Sequence, residues 1–316
     1  MNDFEHTPHE AEQDPSFILG QTQPQGTQIE EGAAELFQSW SQPEAVAPAR
    51  IPHLGHLCLL LAFLFFGFVC VIVLIFVAMS FHLDGVSKLD QINTNVHYLL
   101  GTEAVLYLVA FSLSFLLFPL FWKKSFFSGI QWRGATAIRL FWQLGATALG
   151  CFFLAALEEL IFKSPAHAPI EDIFRSAGAA WLMFGFGVTV APFFEEIAFR
   201  GFLLPSLATA WDWTIEKSTG NPARPLDANG HPQWSIFAMI FASIATSLPF
   251  ELVHYDQQGH ALGPFLQVLV VSLVLCAVRL RTRSLAASTL VHACYNFLLF
   301  STMLISTGGF RHFDKM

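Results

Sequence analysis

The hydrophobic pattern of the chain after residue 50 consists of long apolar runs separated by short polar stretches. An apolar run needs about 20 residues to cross a bilayer as a helix. Leu57 to Phe81 exceeds that length without an acid or a base and predicts the first membrane span. Six further runs predict six more spans, at Ala104–Trp122, Leu140–Leu157, Ala177–Leu207, Ser235–Phe250, Ala261–Val278 and Leu285–Ile305. The predicted fold class is therefore all-α, a polytopic transmembrane helix bundle of seven spans.

The first 50 residues have the opposite composition, with many Glu, Gln, Pro, Ser and Thr residues and few aliphatic ones. Such a segment cannot bury enough apolar surface to offset the entropy that ordering would cost. It also lacks the basic start and apolar core of a signal peptide. We therefore expect a disordered acidic tail over residues 1–50 and a transmembrane helical domain over residues 51–316.

Composition supports this division of the chain. Of the 316 residues, 54% are hydrophobic and 13% are charged, and the formal net charge is -8. These values are outside the range of ordinary soluble domains and indicate an integral membrane protein surrounded by lipid bilayer. The acids concentrate in the tail, and no basic surface indicates a nucleic-acid partner. Lys and Arg are frequent between spans two and three and between spans six and seven, which predicts that these loops and the N-terminus face the cytoplasm.

Three charged residues, Glu195, Glu196 and Arg200, interrupt the fourth apolar run. An unpaired charge inside a membrane costs about 2.5 to 3.5 kcal/mol even on the gentlest insertion scale. Glu196 and Arg200 are one helical turn apart and can neutralise each other, whereas Glu195 points about 100° away. A carboxylate without a local partner suits a general base. The three residues are also compatible with a structural ion-pair cluster that ties helices together.

Further polar residues lie in two other spans. His254 follows the fifth apolar run, and His292 and Asn296 are one turn apart on a single face of the seventh span. Buried polar groups on three helices are best satisfied by meeting one another or water. Their chemistry suits hydrolysis, because a carboxylate and a neutral imidazole can deprotonate a water molecule. A second imidazole and a carboxamide can stabilise the resulting oxyanion.

Three motifs in this order resemble the CPBP family of intramembrane proteases, which includes the CAAX prenyl endopeptidases of the Rce1 type and the bacterial Abi proteins. The motifs are Glu195-Glu196-x-x-x-Arg200, Phe250-x-x-x-His254 and His292-x-x-x-Asn296. The resemblance covers residues 177–300 and implies a protease-like core there. It also implies a membrane-associated peptide or protein as substrate. The distribution of the family suggests a multi-pass protein of the bacterial cytoplasmic membrane.

The resemblance further implies a role for each residue of the motifs. Glu195 would activate the water with assistance from His254, while His292 and Asn296 would stabilise the oxyanion. Glu196 and Arg200, the other two residues of the first motif, would hold the site together.

The need for a metal ion stays open at this point, because the family has been described both as metalloproteases and as metal-independent enzymes. Zinc, if present, would be bound by Glu195, His254 and His292, which are normal zinc ligand types. Asn296, one turn from His292, suits an oxyanion site better than a metal shell. We therefore expect an enzyme without a cofactor.

Two non-enzymatic functions are the alternatives. The first is a non-catalytic membrane immunity or scaffold protein of the same fold. The second is a transporter that uses Glu195 as a proton relay, although the chain shows no inverted repeat of the kind found in transporters.

Two features near the proposed site leave structural alternatives. The polar connection Trp211–Trp234 is either a lid or a spacer, and we expect a spacer. His254 falls near the outer end of the fifth span, whereas Glu195 and His292 lie deeper in theirs. Either Pro249 breaks the fifth helix so that His254 re-enters, or the predicted span ends or orientation are wrong.

Overall fold

The computed structural model describes residues 50–162, 177–228 and 230–311. Apart from residue 50, the predicted acidic tail lies outside these ranges. Within them the chain is helical without β-strands, and seven helices are long and apolar enough to cross a membrane. The seven helices are α1 (Leu54–Ser80), α2 (Val96–Trp122), α3 (Phe141–Ile161), α4 (Ala177–Thr219), α5 (Ile236–Tyr255), α6 (Leu262–Thr282) and α7 (Leu285–Ser306). The prediction of a polytopic all-α protein with seven spans is confirmed.

The helices pack through apolar and small side chains, while their outward surface is also apolar. Small residues such as Ala208, Ala238 and Ala242 are completely buried where α4 and α5 meet, which lets the two backbones approach closely. Large apolar side chains such as Trp142 and Leu160 are 84% exposed. A surface of this kind belongs in lipid rather than in water.

Helix α4 differs from the other helices in length and in winding. It contains 43 residues, about 60 Å of helix, against a hydrocarbon thickness of ~30 Å. Two stretches, Phe186–Val190 and Ile197–Leu203, are wound as π-helix and lie on either side of the two adjacent glutamates. Such wide turns occur frequently at functional sites. The predicted end of this span at Leu207 is wrong, because the helix continues to Thr219.

The polar stretch predicted as a connection from Trp211 is therefore partly helix, and the true connection between α4 and α5 starts at Gly220. Its far end is fixed to α4. The backbone N–H and the hydroxyl of Ser235 both donate to the buried carboxylate of Asp212, at 2.8 and 2.5 Å. Trp234 Nε1 donates to Thr209 Oγ1 at 3.0 Å.

Helix α5 is continuous through Pro249, so of the two alternatives for His254 a break at this proline is excluded. The helix starts beside Asp212, deep in the C-terminal half of α4, and runs back along α4. Its last turn therefore reaches the level of Glu195. The position of His254 follows from the extra length of α4 rather than from a broken α5.

Candidate active site

Glu196 and Arg200 form the predicted ion pair on α4. Arg200 Nη1 lies 2.9 Å from Glu196 Oε1, and both side chains are fully buried. The other guanidinium nitrogen, Nη2, donates to the carbonyl and the hydroxyl of Ser272 on α6, at 3.1 and 2.6 Å. The guanidinium also lies 4.3 Å from the ring centre of Phe250 on α5, in a cation–π contact. This one pair thus joins α4, α5 and α6.

Glu195 points away from that pair and lies between two imidazoles. Its Oε1 is 4.0 Å from His254 Nε2 on α5, and its Oε2 is 3.7 Å from His292 Nε2 on α7. The carboxylate is 14% exposed, whereas that of Glu196 is completely buried. The structure thus brings together three of the four residues that the sequence predicts as catalytic.

The hydrogen bonds of the two histidines determine which of their nitrogens carry protons. His254 Nδ1 lies 2.8 Å from the carbonyl oxygen of Phe250, which can only accept, so Nδ1 carries the hydrogen. In the neutral ring, Nε2 then presents a lone pair toward Glu195. His292 Nδ1 is 3.3 Å from the carboxylate of Glu196 and donates to it in the same way. Glu196 was not predicted to contact His292.

Asn296 lies one turn beyond His292, where its amide nitrogen donates to the carbonyl oxygen of Gly187 at 2.8 Å. The π-helical turn makes that carbonyl available. The N–H of Ala191 donates to Phe186, five residues back, rather than to Gly187. The next residue, Pro192, has no N–H to donate. The amide of Asn296 is thereby held in one orientation against α4.

Comparison with known families connects this geometry to a type of enzyme. Residues 177–298, from the start of α4 to within α7, match the family model described as Rce1-like, type II CAAX prenyl endopeptidase. This segment is similar to the Rce1-like family, and the match supports an intramembrane protease of the CAAX type. No curated protein and no solved structure matches the chain.

The Rce1-like segment supplies part of the wall of a cavity of about 340 Å³, into which Glu195 and His254 face. Helices α1 and α2, which lie before the matched segment, supply the rest. The lining is largely apolar, with Leu57, Leu60 and Leu64 from α1 and Phe111 from α2 among its residues. His292, Asn296 and the described residues of the connection between α4 and α5 are outside the lining. The connection therefore does not cover this cavity as a lid.

The atoms of the three possible zinc ligands in the Rce1-like segment are farther apart than the ligand atoms of a bound zinc ion. Tetrahedral zinc with bonds of about 2.0 to 2.2 Å brings its ligand atoms to within ~3.5 Å of one another. The two imidazoles face different oxygens of Glu195, at 4.0 and 3.7 Å. Across the described ranges, no group of three His, Cys, Asp or Glu side chains is placed to hold a metal ion.

Two polar residues of the cavity were missed by the sequence analysis. Glu103 and Tyr107, one turn apart on α2, both line it, and Tyr107 donates a hydrogen bond of 2.6 Å to Glu103 Oε1. The sequence signal for this pair was an acid and a phenol four residues apart, one helical turn, near the start of the second apolar run. It was overlooked because the family motifs begin only at α4.

Proposed function

We propose that the protein is an intramembrane endopeptidase that hydrolyses a peptide bond through a water molecule activated by Glu195, without a metal ion. The substrate is a membrane-associated peptide or protein, and the site of action is the bacterial cytoplasmic membrane. The observation that supports the proposal best is the placement of Glu195 beside His254 at the wall of the cavity.

The geometry between Glu195 and His254 suits a water nucleophile. We consider a water molecule placed ~2.8 Å from both Glu195 Oε1 and His254 Nε2. The angle at its oxygen between the directions to the two acceptors would be about 90°, near the angle between its two O–H bonds. Both atoms can accept a hydrogen bond from the water. His254 Nε2 is an acceptor because the hydrogen of the neutral ring is on Nδ1, where it is donated to the Phe250 carbonyl. The oxygen lone pairs of the water are then directed away from the two acceptors, toward a substrate carbonyl in the cavity.

The proposed reaction needs no covalent enzyme intermediate. The water oxygen bonds to the carbonyl carbon, a water proton passes to Glu195, and the carbonyl electron pair moves onto its oxygen. The carbon–nitrogen bond then breaks, and Glu195 returns the proton to the departing amine. The products are a carboxylic acid and an amine, and transfer of the acid proton to the amine gives a carboxylate and an ammonium.

His292 and Asn296 are the proposed donors to the oxyanion. The Nδ1–H of His292 is used by Glu196, so the oxyanion role requires a second hydrogen on this ring, at Nε2, which lies 3.7 Å from Glu195. The amide of Asn296 has two N–H groups, of which one is used by Gly187. The second N–H is the one that the oxyanion role requires. Removing one such donor typically costs about 3 to 4 kcal/mol of transition-state stabilisation.

Glu195→Gln tests the proposal because the amide has nearly the same shape but cannot accept the proton. Wild type and variant are compared by the peptides that each releases from a membrane proteome. We expect peptide release to fall ~100- to 10,000-fold, as for loss of a general base. Glu159→Gln is the matched control, since Glu159 is an exposed carboxylate on α3, and it should release the wild-type set of peptides.

Retained cleavage by a folded Glu195→Gln variant would contradict the proposal. If wild type releases no peptides, the scaffold or immunity alternative is favoured. In that case both Glu195→Gln and wild type should rescue the phenotype of a deletion strain equally well. Proton-driven flux in vesicles would indicate transport instead.

A further inference from the structure

The cavity beside Glu195 contains several polar side chains although it lies within a membrane protein. Most of its lining residues are apolar. The polar ones are Glu103, Tyr107 and Ser114 from α2, Glu195 from α4, and His254 and Gln257 from the end of α5. Two of these six are carboxylates, and none is Lys or Arg. The lining is therefore negative wherever it is charged.

Glu103 is held in a fixed position by its neighbours. Tyr107 donates to it at 2.6 Å. The ring of Tyr107 in turn stacks on Phe194, with ring centres 4.9 Å apart and planes at 20°. Phe194 immediately precedes Glu195, so this stack fixes the Glu103–Tyr107 pair against the helix that carries the proposed base. Neither member of the pair belongs to the residues that the proposed reaction uses.

Glu103 has no ion-pair partner among the residues that the structure describes. The hydroxyl of Tyr107 is its hydrogen-bond donor there. A carboxylate in apolar surroundings is stable only when it binds a proton or is paired with a cation. A second carboxylate in the same cavity strengthens the attraction for a positive group. An ammonium or a guanidinium is the kind of group that would pair with this carboxylate.

We propose that Glu103, oriented by Tyr107, forms a specificity subsite that binds the side chain of a Lys or Arg residue of the substrate near the bond to be cleaved. The inference rests on the proposed function, since the cavity is taken to hold the peptide. The long apolar stem of such a side chain packs on the apolar part of the lining while its charged end reaches the carboxylate. Peptides with a basic residue at this position are cleaved in preference to peptides with an uncharged one.

The test uses peptides with the sequences of the cleavage sites found in the proteome comparison. The three positions on each side of the cleaved bond are varied one at a time. At each position, separate peptides carry Lys, Arg, norleucine or Glu. Wild type should cleave the Lys and Arg peptides with a higher kcat/KM at one of these positions. Glu103→Gln should lower kcat/KM for those peptides about 10- to 100-fold, the usual worth of a hydrogen bond to a charged group. For the norleucine peptides, Glu103→Gln should have the same kcat/KM as wild type.

Tyr107→Phe should lower the preference for basic residues in the same direction but less, since the carboxylate remains. Tyr98→Phe on the same helix and Glu159→Gln on α3 are the matched controls, because neither Tyr98 nor Glu159 lines the cavity. Both controls should keep the wild-type preference.

Two results would overturn the subsite. One is a wild type with no preference for Lys or Arg at any position, and the other is a Glu103→Gln variant that slows all peptides equally. Binding of the Lys and norleucine peptides is also measured in the Glu195→Gln background, with and without Glu103→Gln. A preference for Lys that Glu103→Gln abolishes supports the subsite even if Glu195 proves not to be the base. Equal binding of both peptides rejects the subsite even if Glu195 proves essential.

Discussion

Asn296 on α7 and Gly187 on α4 are joined by a hydrogen bond that the backbone geometry of α4 makes possible. The amide donates at 2.8 Å to a carbonyl that the π-helical turn and Pro192 leave available. The side chain that the family pattern assigns to the oxyanion is thus also part of the packing between two helices. We therefore expect substitutions at this position to affect stability as well as the proposed catalysis.

Asn296→Ala is predicted to lower the stability of the protein as well as its activity. The Gly187 carbonyl would lose its side-chain donor, and leaving a buried polar group unpaired costs about 1 to 3 kcal/mol. Thermal unfolding in detergent micelles measures the loss. Ser301→Ala, on the same helix, is the control and should change the free energy of unfolding by less than ~0.5 kcal/mol. Equal shifts for the two variants would show that the bond to Gly187 contributes nothing to stability.

Arg200→Met is predicted to reduce the yield of folded protein, because it removes the guanidinium that neutralises the buried carboxylate of Glu196. The expected cost is about 3 to 5 kcal/mol. Arg200→Lys should also destabilise, since an ammonium lacks the planar fork that reaches Glu196 and Ser272 together. The double variant Glu196→Gln with Arg200→Met should recover part of the loss. A single Arg200→Met variant that is as stable as the double variant would contradict the prediction.

Removal of metal ions is predicted to leave activity unchanged. The atoms of Glu195, His254 and His292 are spaced more widely than the ligands of one tetrahedral ion, and in the proposed mechanism the side chains themselves hold the water. The measurement is kcat/KM before and after dialysis against a zinc chelator such as 1,10-phenanthroline. Activity that disappears on dialysis and returns with added zinc would show that the metal-free mechanism is wrong.

The stability of the protein is predicted to fall as the pH drops below about 6.5, the ordinary pKa of histidine. Burial, aided by Arg279 and Lys124, lowers the pKa of His231 in the folded protein, although the Ile51 carbonyl and Asp227 oppose the shift. The unfolded chain therefore binds a proton at a higher pH than the folded one. Stability is fully present above the unfolded pKa and is lost as the pH falls below it.

The measurement for His231 is the unfolding temperature at pH 7.5 and pH 5.5, for wild type and for His231→Gln. The unfolding temperature of wild type should fall more on acidification than that of the variant, because the variant cannot bind the proton at this position. Some loss should remain in the variant, because burial also lowers the pKa of His53. Identical losses in both proteins would assign the acid sensitivity to other groups.

The number of spans and the pairing of Glu196 with Arg200 could be predicted because both depend on local sequence. Apolar length gives the spans, and a separation of four residues gives the pair. The end of α4 could not be predicted in the same way. Its last turns contain polar residues, and two of them, Thr209 and Asp212, accept hydrogen bonds from Trp234 and Ser235 beyond the helix.

The contacts between helices needed the structure. His292 meets Glu196 across 96 residues of chain, and no spacing rule links the two positions. The π-helical winding of α4 gives Asn296 its backbone partner, and an apolar run of residues does not indicate such winding. Glu103 was missed for a different reason. Its spacing to Tyr107 was readable, but only the three-dimensional packing brings α2 to the cavity of Glu195.

The cavity draws its walls from two parts of the chain that differ in their relation to the family. Helices α4 and α5 carry Glu195 and His254, while α1 and α2, outside the matched segment, carry the opposite wall with Glu103. In the two proposals above, hydrolysis and the choice of peptide therefore depend on separate helices. Exchanging the first two helices between related proteins should therefore transfer the preference for one peptide over another and leave the hydrolytic residues untouched.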